Sequence, residues 1–153
     1  NQRYGPQRDT EVRRFRHLLS HIMKPTELGV WAVQGNVDPP GWPAIFVGTP
    51  IQPLNSTLSV PLGSDIYLTG LSLEDSFDTS LALAPRPGFH IVFGHAPDFS
   101  LSNIDADLLI AGHTHGGQVQ LPFLGPLITL SEVPRDWAAG HTQLTDNHNL
   151  QEL

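Results

Sequence analysis

Three short apolar runs in this sequence each end in a glycine followed at once by a side chain able to bind a metal. The first, GVWAVQ at 29–34, runs into Gly35-Asn36-Val37-Asp38. The second, FHIVF at 89–93, runs into Gly94-His95. The third, DLLIA at 107–111, runs into Gly112-His113. Runs this short and this rich in β-branched and aromatic residues read as buried strands. A glycine at the strand exit permits a sharp turn and lets a small charged ligand approach the backbone closely. In sheets built from βαβ units, functional side chains gather at the C-terminal ends of strands. The pattern therefore predicts an α/β chain whose strand ends carry a polar site.

The segments between these runs complete the outline. Asp9 or Thr10 is an N-cap for a helix reaching about Met23, with Val12, Phe15, Leu18, Leu19 and Ile22 at helical spacing and Lys24-Pro25 as its stop. Residues 39–50 are rich in Pro and Gly, with a short helix over Trp42–Val47. Strands are predicted near 51–54, 57–62 and 65–71, and a helix over Asp75–Ala84. Further strands fall at Val119–Leu121, Leu127–Leu130 and Ala138–Leu144. There is no internal repeat. No run approaches the ~18 apolar residues of a membrane span.

Composition narrows the chemistry. Eight Lys and Arg against fifteen Asp and Glu give a formal charge of −7, which argues against a nucleic-acid groove. The one basic cluster, Arg13, Arg14 and Arg16, reads as a solvated helix face. With no cysteine there is no disulfide framework and no thiolate metal site, so any metal must use His, Asp, Asn, Glu or water. The absence of cysteine does not fix the compartment. Imidazole ligands suit Zn, Fe, Mn and Ni.

The histidines divide by context. His113 and His115 stand at i and i+2, which in an extended segment project to the same side. Gly112, Gly116 and Gly117 around them leave room for metal and substrate. Alone, H-x-H occurs by chance; after a strand and before Gly-Gly it becomes a stronger metal signal. His95 and Asn36 alone would read as a loop histidine and a turn residue, and their positions after strand-exit glycines raise both. His90 lies within a strand and reads as structural. His17 and His21 have the i, i+4 spacing of a helical zinc pair, but no E-x-x-H context accompanies them, and they read as surface or packing residues. His141 and His148 read as non-ligands, with His141 able to reach a substrate.

GNVD at 35–38, GHAPD at 94–98 and AGHTHGGQVQLPFLGP at 111–126 resemble three successive motifs of the calcineurin-like metallophosphoesterases. The last closely resembles the bacterial GHTHGGQV-type subgroup, which includes cell-envelope and lipid-precursor phosphoesterases. The resemblance runs in the expected order from about residue 9 to 144. It implies a four-layer α-β-β-α sandwich, of which this chain would supply one sheet and part of the other. It implies two divalent ions (Mn, Fe or Zn), one held by Asn36, His95 and His113 and the other by His115, with Gly116 and Gly117 near a small-molecule or lipid-linked phosphoester. Two such ions, ~3.5–4 Å apart, activate water and stabilise the charge of an in-line displacement.

Two departures qualify that expectation. The family's Asp-x-His and Gly-Asp-x-x-Asp motifs do not occur: no D-x-H precedes residue 36 and no Gly-Asp pair exists. The resemblance would place them before Asn1, so the chain is expected to be the C-terminal portion of one phosphoesterase domain and inactive alone. Val37 stands where much of the family has a phosphate-contacting histidine; it can neither bind phosphate nor protonate a leaving group, and His141 is the candidate substitute. The apolar LPFLGPL at 121–127 would border the substrate entrance or simply pack. The competing functions are a non-catalytic protein-binding scaffold on the same fold, which has no need of four ligand positions, and an unrelated zinc-stabilised domain, which would need a closed four-ligand site.

Overall fold

The computed structural model describes residues 5–24, 26–117, 120–121, 125–126 and 130–144. They fall into two compact units, 1–113 and 114–153. The first is a mixed α/β unit with two sheets and flanking helices, the class expected from the strand–Gly pattern.

Helix α1 spans Gly5–Ile22, so it begins upstream of the expected Asp9 or Thr10 cap. The helix lies against a 3-10 helix at Trp42–Phe46, with the Phe15 and Phe46 rings 6.4 Å apart. Arg16 departs from the expected solvated face. Its guanidinium donates to the carbonyls of Ile45 (2.8 Å) and Ala44 and so ties the two helices. Arg14 pairs with Glu11 on the surface.

The smaller sheet joins β1 (Val30–Val33) to β2 (Ile51–Leu54) in parallel. The larger has four strands: β3 (Leu58–Pro61), β4 (Ile66–Gly70), β5 (Phe89–Gly94) and β6 (Leu108–Ala111). β3 is an antiparallel edge, while β4, β5 and β6 run parallel. Their C-terminal ends therefore lie along one edge of the sheet.

Alternation along β5 divides the packing. His90, Val92 and Gly94 face one side, Ile91 and Phe93 the other. On the first side Val92 joins Leu71, Leu81 and Phe99 in a buried core. On the second the sheets meet across Gly70: a Cβ there would lie 2.5 Å from Leu54 Cδ1, 3.0 Å from Phe93 Cε1 and 3.1 Å from Val33 Cγ1. That close approach is the reason for a glycine at the end of β4.

The helix expected over Asp75–Ala84 is reduced to α2, Leu73–Ser76. Ser72 caps its start by accepting from Asp75 N. Asp78 then stops it: its carboxylate accepts from Ser80 N (2.8 Å) and Ser80 Oγ (2.7 Å), a local turn that competes with helical bonding. These bonds hold the Asp78 carboxyl below its ordinary range. Ser102 finishes the arrangement by donating to Asp78 O and accepting from Leu81 N.

The second unit contains β7 (Gln120–Leu121) paired antiparallel with β8 (Gly125–Pro126), and a 3-10 helix at Arg135–Ala138. The expected strand at Ala138–Leu144 is absent. Pro134 opens a 3-10 turn that includes Ala138, and Gly140 follows with a left-handed φ of 91°. Of the other expectations here, Val119 and residues 127–129 lie outside the described residues, and Leu130 has φ 54° and is not in a strand. Among the described residues, no helix is long and apolar enough to cross a membrane.

Candidate functional site

The turn after β1 is built by Asp38. Its backbone N–H donates to Gly35 O at 3.1 Å, and its carboxylate accepts from Gly35 N at 2.7 Å. Both ends of the four-residue turn are thereby tied, and Asn36 and Val37 are left at an exposed apex. A Cβ on Gly35 would lie 3.2 Å from His95 Cε1 and 3.3 Å from Asp38 Oδ2, so the glycine lets the β1 turn close onto the β5 exit.

His95 follows β5, and the β5–β6 ladder continues past the strands. Gly112 N donates to His95 O at 2.9 Å, which carries the backbone directly to His113. His113 adopts φ 63°, a left-handed conformation uncommon outside glycine although histidine enters it more readily than β-branched residues. Backbone strain of this kind costs about 1–3 kcal/mol and clusters at functional sites.

Three side chains from three strand ends then converge. Asn36 Oδ1 and His113 Nδ1 each stand 2.9 Å from His95 Nε2. A neutral imidazole nitrogen offers either one proton or one lone pair. Nε2 of His95 therefore cannot make two full, independent hydrogen bonds to both neighbours. A cation can accept from all three atoms together: at metal–ligand distances of about 2.0–2.2 Å, ligand atoms at right angles lie ~3 Å apart. The donor set suits a borderline divalent ion. Among the described residues no group of three or more His, Cys, Asp and Glu side chains is placed to hold a metal. The trio has only two histidines, its third member being a neutral amide.

Phe77, at the C-cap of α2, presents its ring edge-on to this group. Its centroid is 5.1 Å from that of His113 and 6.4 Å from that of His95. Neither Phe77 nor Asp38 was identified from the sequence. Asp38 carried a usable signal, since Gly-x-x-Asp is turn spacing; Phe77 carried none, because its contacts are long-range.

The remaining predicted residues are placed as follows. Val37 is 88% exposed. His115 belongs to the second unit, is exposed and has φ 52°. The extended geometry expected of H-x-H is thus replaced by a turn: His113, His115, Gly116 and Gly117 all have positive φ, from 52° to 68°. The glycine-rich run favours left-handed backbone over strand. Gly116 lies against Ala139, and His141 is exposed, both in the second unit. Of the apolar 121–127 segment, residues 122–124 and 127 lie outside the described residues. His90 is structural as expected. It is 2% exposed, its Nε2 lies 2.7 Å from Thr69 Oγ1, and its Nδ1 lies 3.0 Å from Asp105 O. Because a carbonyl only accepts, Nδ1 carries the proton and Thr69 donates to Nε2. His17 and His21 are exposed on α1, also as expected.

Comparison with known proteins gives one partial similarity. The chain is 41% identical over 81 residues to a protein named uncharacterized metallophosphoesterase YkuE, from Bacillus subtilis (strain 168). The match takes in 48% of this chain and 28% of that protein, so the chain spans well under half of its relative's length. The similarity supports the metallophosphoesterase superfamily. No family model matches, and no solved structure matches.

Proposed function

We propose that this chain contributes the histidine half of a dinuclear metal centre in a phosphoester hydrolase. The observation that supports this most directly is the convergence of Asn36 Oδ1 and His113 Nδ1, each 2.9 Å from His95 Nε2, at the ends of three strands. In this reading those three residues hold one divalent cation and His115 a second. The similarity to a named metallophosphoesterase supports the same class. Bound there, divalent ions supply Lewis-acid stabilisation of phosphoryl charge and lower the pKa of water.

The chain's own residues orient and shape that centre. Asp38 fixes the turn that presents Asn36. Phe77 packs edge-to-face beside the imidazoles and gives one side of the group an apolar border. Val37 cannot donate a proton, so the leaving group must either depart readily or be protonated by water or another residue, such as His141. Four neutral ligands bring no charge to balance two neighbouring dications. The carboxylates of a Gly-Asp-x-x-Asp and an Asp-x-His motif would then have to complete the centre from outside these 153 residues, and the chain alone would not turn over substrate.

The test uses bis-p-nitrophenyl phosphate with Mn²⁺. The 153-residue chain should show no hydrolysis above its His113→Ala variant. A polypeptide that also carries the two carboxylate motifs should hydrolyse the ester, with His95→Ala or His113→Ala lowering kcat about 10²-fold or more. Turnover by the isolated chain would overturn the shared-site reading. A fully assembled protein that binds no metal at Asn36, His95 and His113 would favour the non-catalytic scaffold instead.

A further inference from the structure

We infer that His17 and His21 on α1 form a separate surface site for one borderline divalent cation of the Ni²⁺, Cu²⁺ or Zn²⁺ type. The two residues are one helical turn apart on the same face, and their ring centroids lie 4.2 Å from each other at an interplanar angle of 60°. Both side chains are exposed, so an ion reaches them from solvent and keeps water on its remaining positions.

The hydrogen bonding of His21 prepares it as a ligand. Its Nδ1 lies 2.7 Å from the carbonyl oxygen of His17. That oxygen can only accept, so Nδ1 bears the proton, and the lone pair of the neutral ring stands on Nε2. Metal-binding histidines commonly use this arrangement, donating the second ring N–H to a backbone carbonyl to fix tautomer and ring orientation. Here the carbonyl belongs to the other histidine of the pair, so the helix backbone itself orients the site.

The ion class follows from the donor atoms, not from local charge, since Arg13, Arg14 and Lys24 lie within one turn of the pair. The nearest guanidinium groups are directed elsewhere: Arg13 to Thr10, Arg14 to Glu11 and Arg16 to Ile45 O. No Asp or Glu occurs from Val12 to Thr26; on the helix Glu11 is paired with Arg14, and Asp9 lies two turns before His17. Two imidazoles without a carboxylate select ions high in the Irving–Williams order over Mg²⁺, Ca²⁺ and Mn²⁺. His21 is in the last turn of α1, where the helix dipole also favours positive charge. A bound ion would staple residues 17 and 21 and stiffen that last turn.

The site is tested on the 153-residue chain, stripped with chelator and titrated calorimetrically with Ni²⁺. Four proteins are compared: the unaltered chain, His17→Ala, His21→Gln, and the double variant His95→Ala/His113→Ala. Circular dichroism checks that each is folded; at exposed helix positions His17→Ala and His21→Gln should retain the fold. One Ni²⁺ equivalent should weaken about tenfold or more in either α1 variant and persist in the His95→Ala/His113→Ala protein. The same ion should raise the melting temperature of the unaltered chain more than that of His17→Ala, and Mn²⁺ should not. The inference is overturned if Ni²⁺ binds equally well to the α1 variants, or if no Ni²⁺ equivalent survives in the His95→Ala/His113→Ala protein.

Discussion

His113 Nδ1 lies 2.9 Å from His95 Nε2, although the two residues are 18 positions apart in the chain. The contact follows from the parallel pairing of β5 with β6, which places Gly94 beside Ala111 and carries both strand exits to one edge. Asn36 meets the same nitrogen from the other sheet. Each of the three side chains therefore depends on strand packing for its position, and the group should respond as a unit to the loss of one member.

The isolated chain should accordingly bind one Zn²⁺ weakly at this group. Measured in a His17→Ala background, so that the α1 pair does not contribute, His95→Ala and His113→Ala should each weaken Zn²⁺ about tenfold or more. His115→Ala, which removes a ligand assigned to the other ion, should leave that binding unchanged. Equal losses in all three variants would show that His113 and His115 serve a single ion.

Thr69→Val should destabilise the chain by about 1–3 kcal/mol, because it leaves buried His90 Nε2 without the hydroxyl that donates to it. Ser59 extends the network, with its Oγ 2.6 Å from Thr69 Oγ1, but it is only half-buried. Ser59→Ala should therefore cost less, about 0.5–1.5 kcal/mol. Urea unfolding distinguishes the two, with a lower midpoint and an unchanged slope for each.

Gly70→Ala should cost about 1–3 kcal/mol by overpacking where the two sheets meet. The added methyl would stand 2.5 Å from Leu54 Cδ1. Since that atom is the end of a side chain, Leu54→Val should recover part of the loss in the double variant. A strictly additive double variant, measured by the same urea titrations, would mean that the clash is relieved by backbone movement instead.

Val37→His should be tolerated within about 0.5 kcal/mol, since residue 37 is 88% exposed at the turn apex. In a polypeptide carrying the complete site, it should raise the rate on esters with poor leaving groups relative to p-nitrophenyl esters. An equal effect on both substrates would show that the new imidazole does not act on the leaving group.

By itself, the sequence determined where the candidate site residues sit along the chain. Strand-exit glycines marked Asn36, His95 and His113, because close approach and sharp turning leave a local signature in residue type. The short apolar run at 89–93 likewise marked His90 as a residue inside a strand. What depends on distant partners was not legible. Asp75–Ala84 had the composition of a helix, but Ser80 and Ser102 draw Asp78 and Leu81 into a turn. H-x-H had the spacing of an extended pair, but its glycines favour positive φ and fold it into a turn. Only the tertiary structure decided that Phe77 borders the imidazoles and that one nitrogen of His95 faces both Asn36 and His113. Those contacts come from strands aligned by backbone hydrogen bonds and from two sheets brought together at Gly70, and no local pattern in the sequence encodes which side chains such packing will place 2.9 Å apart.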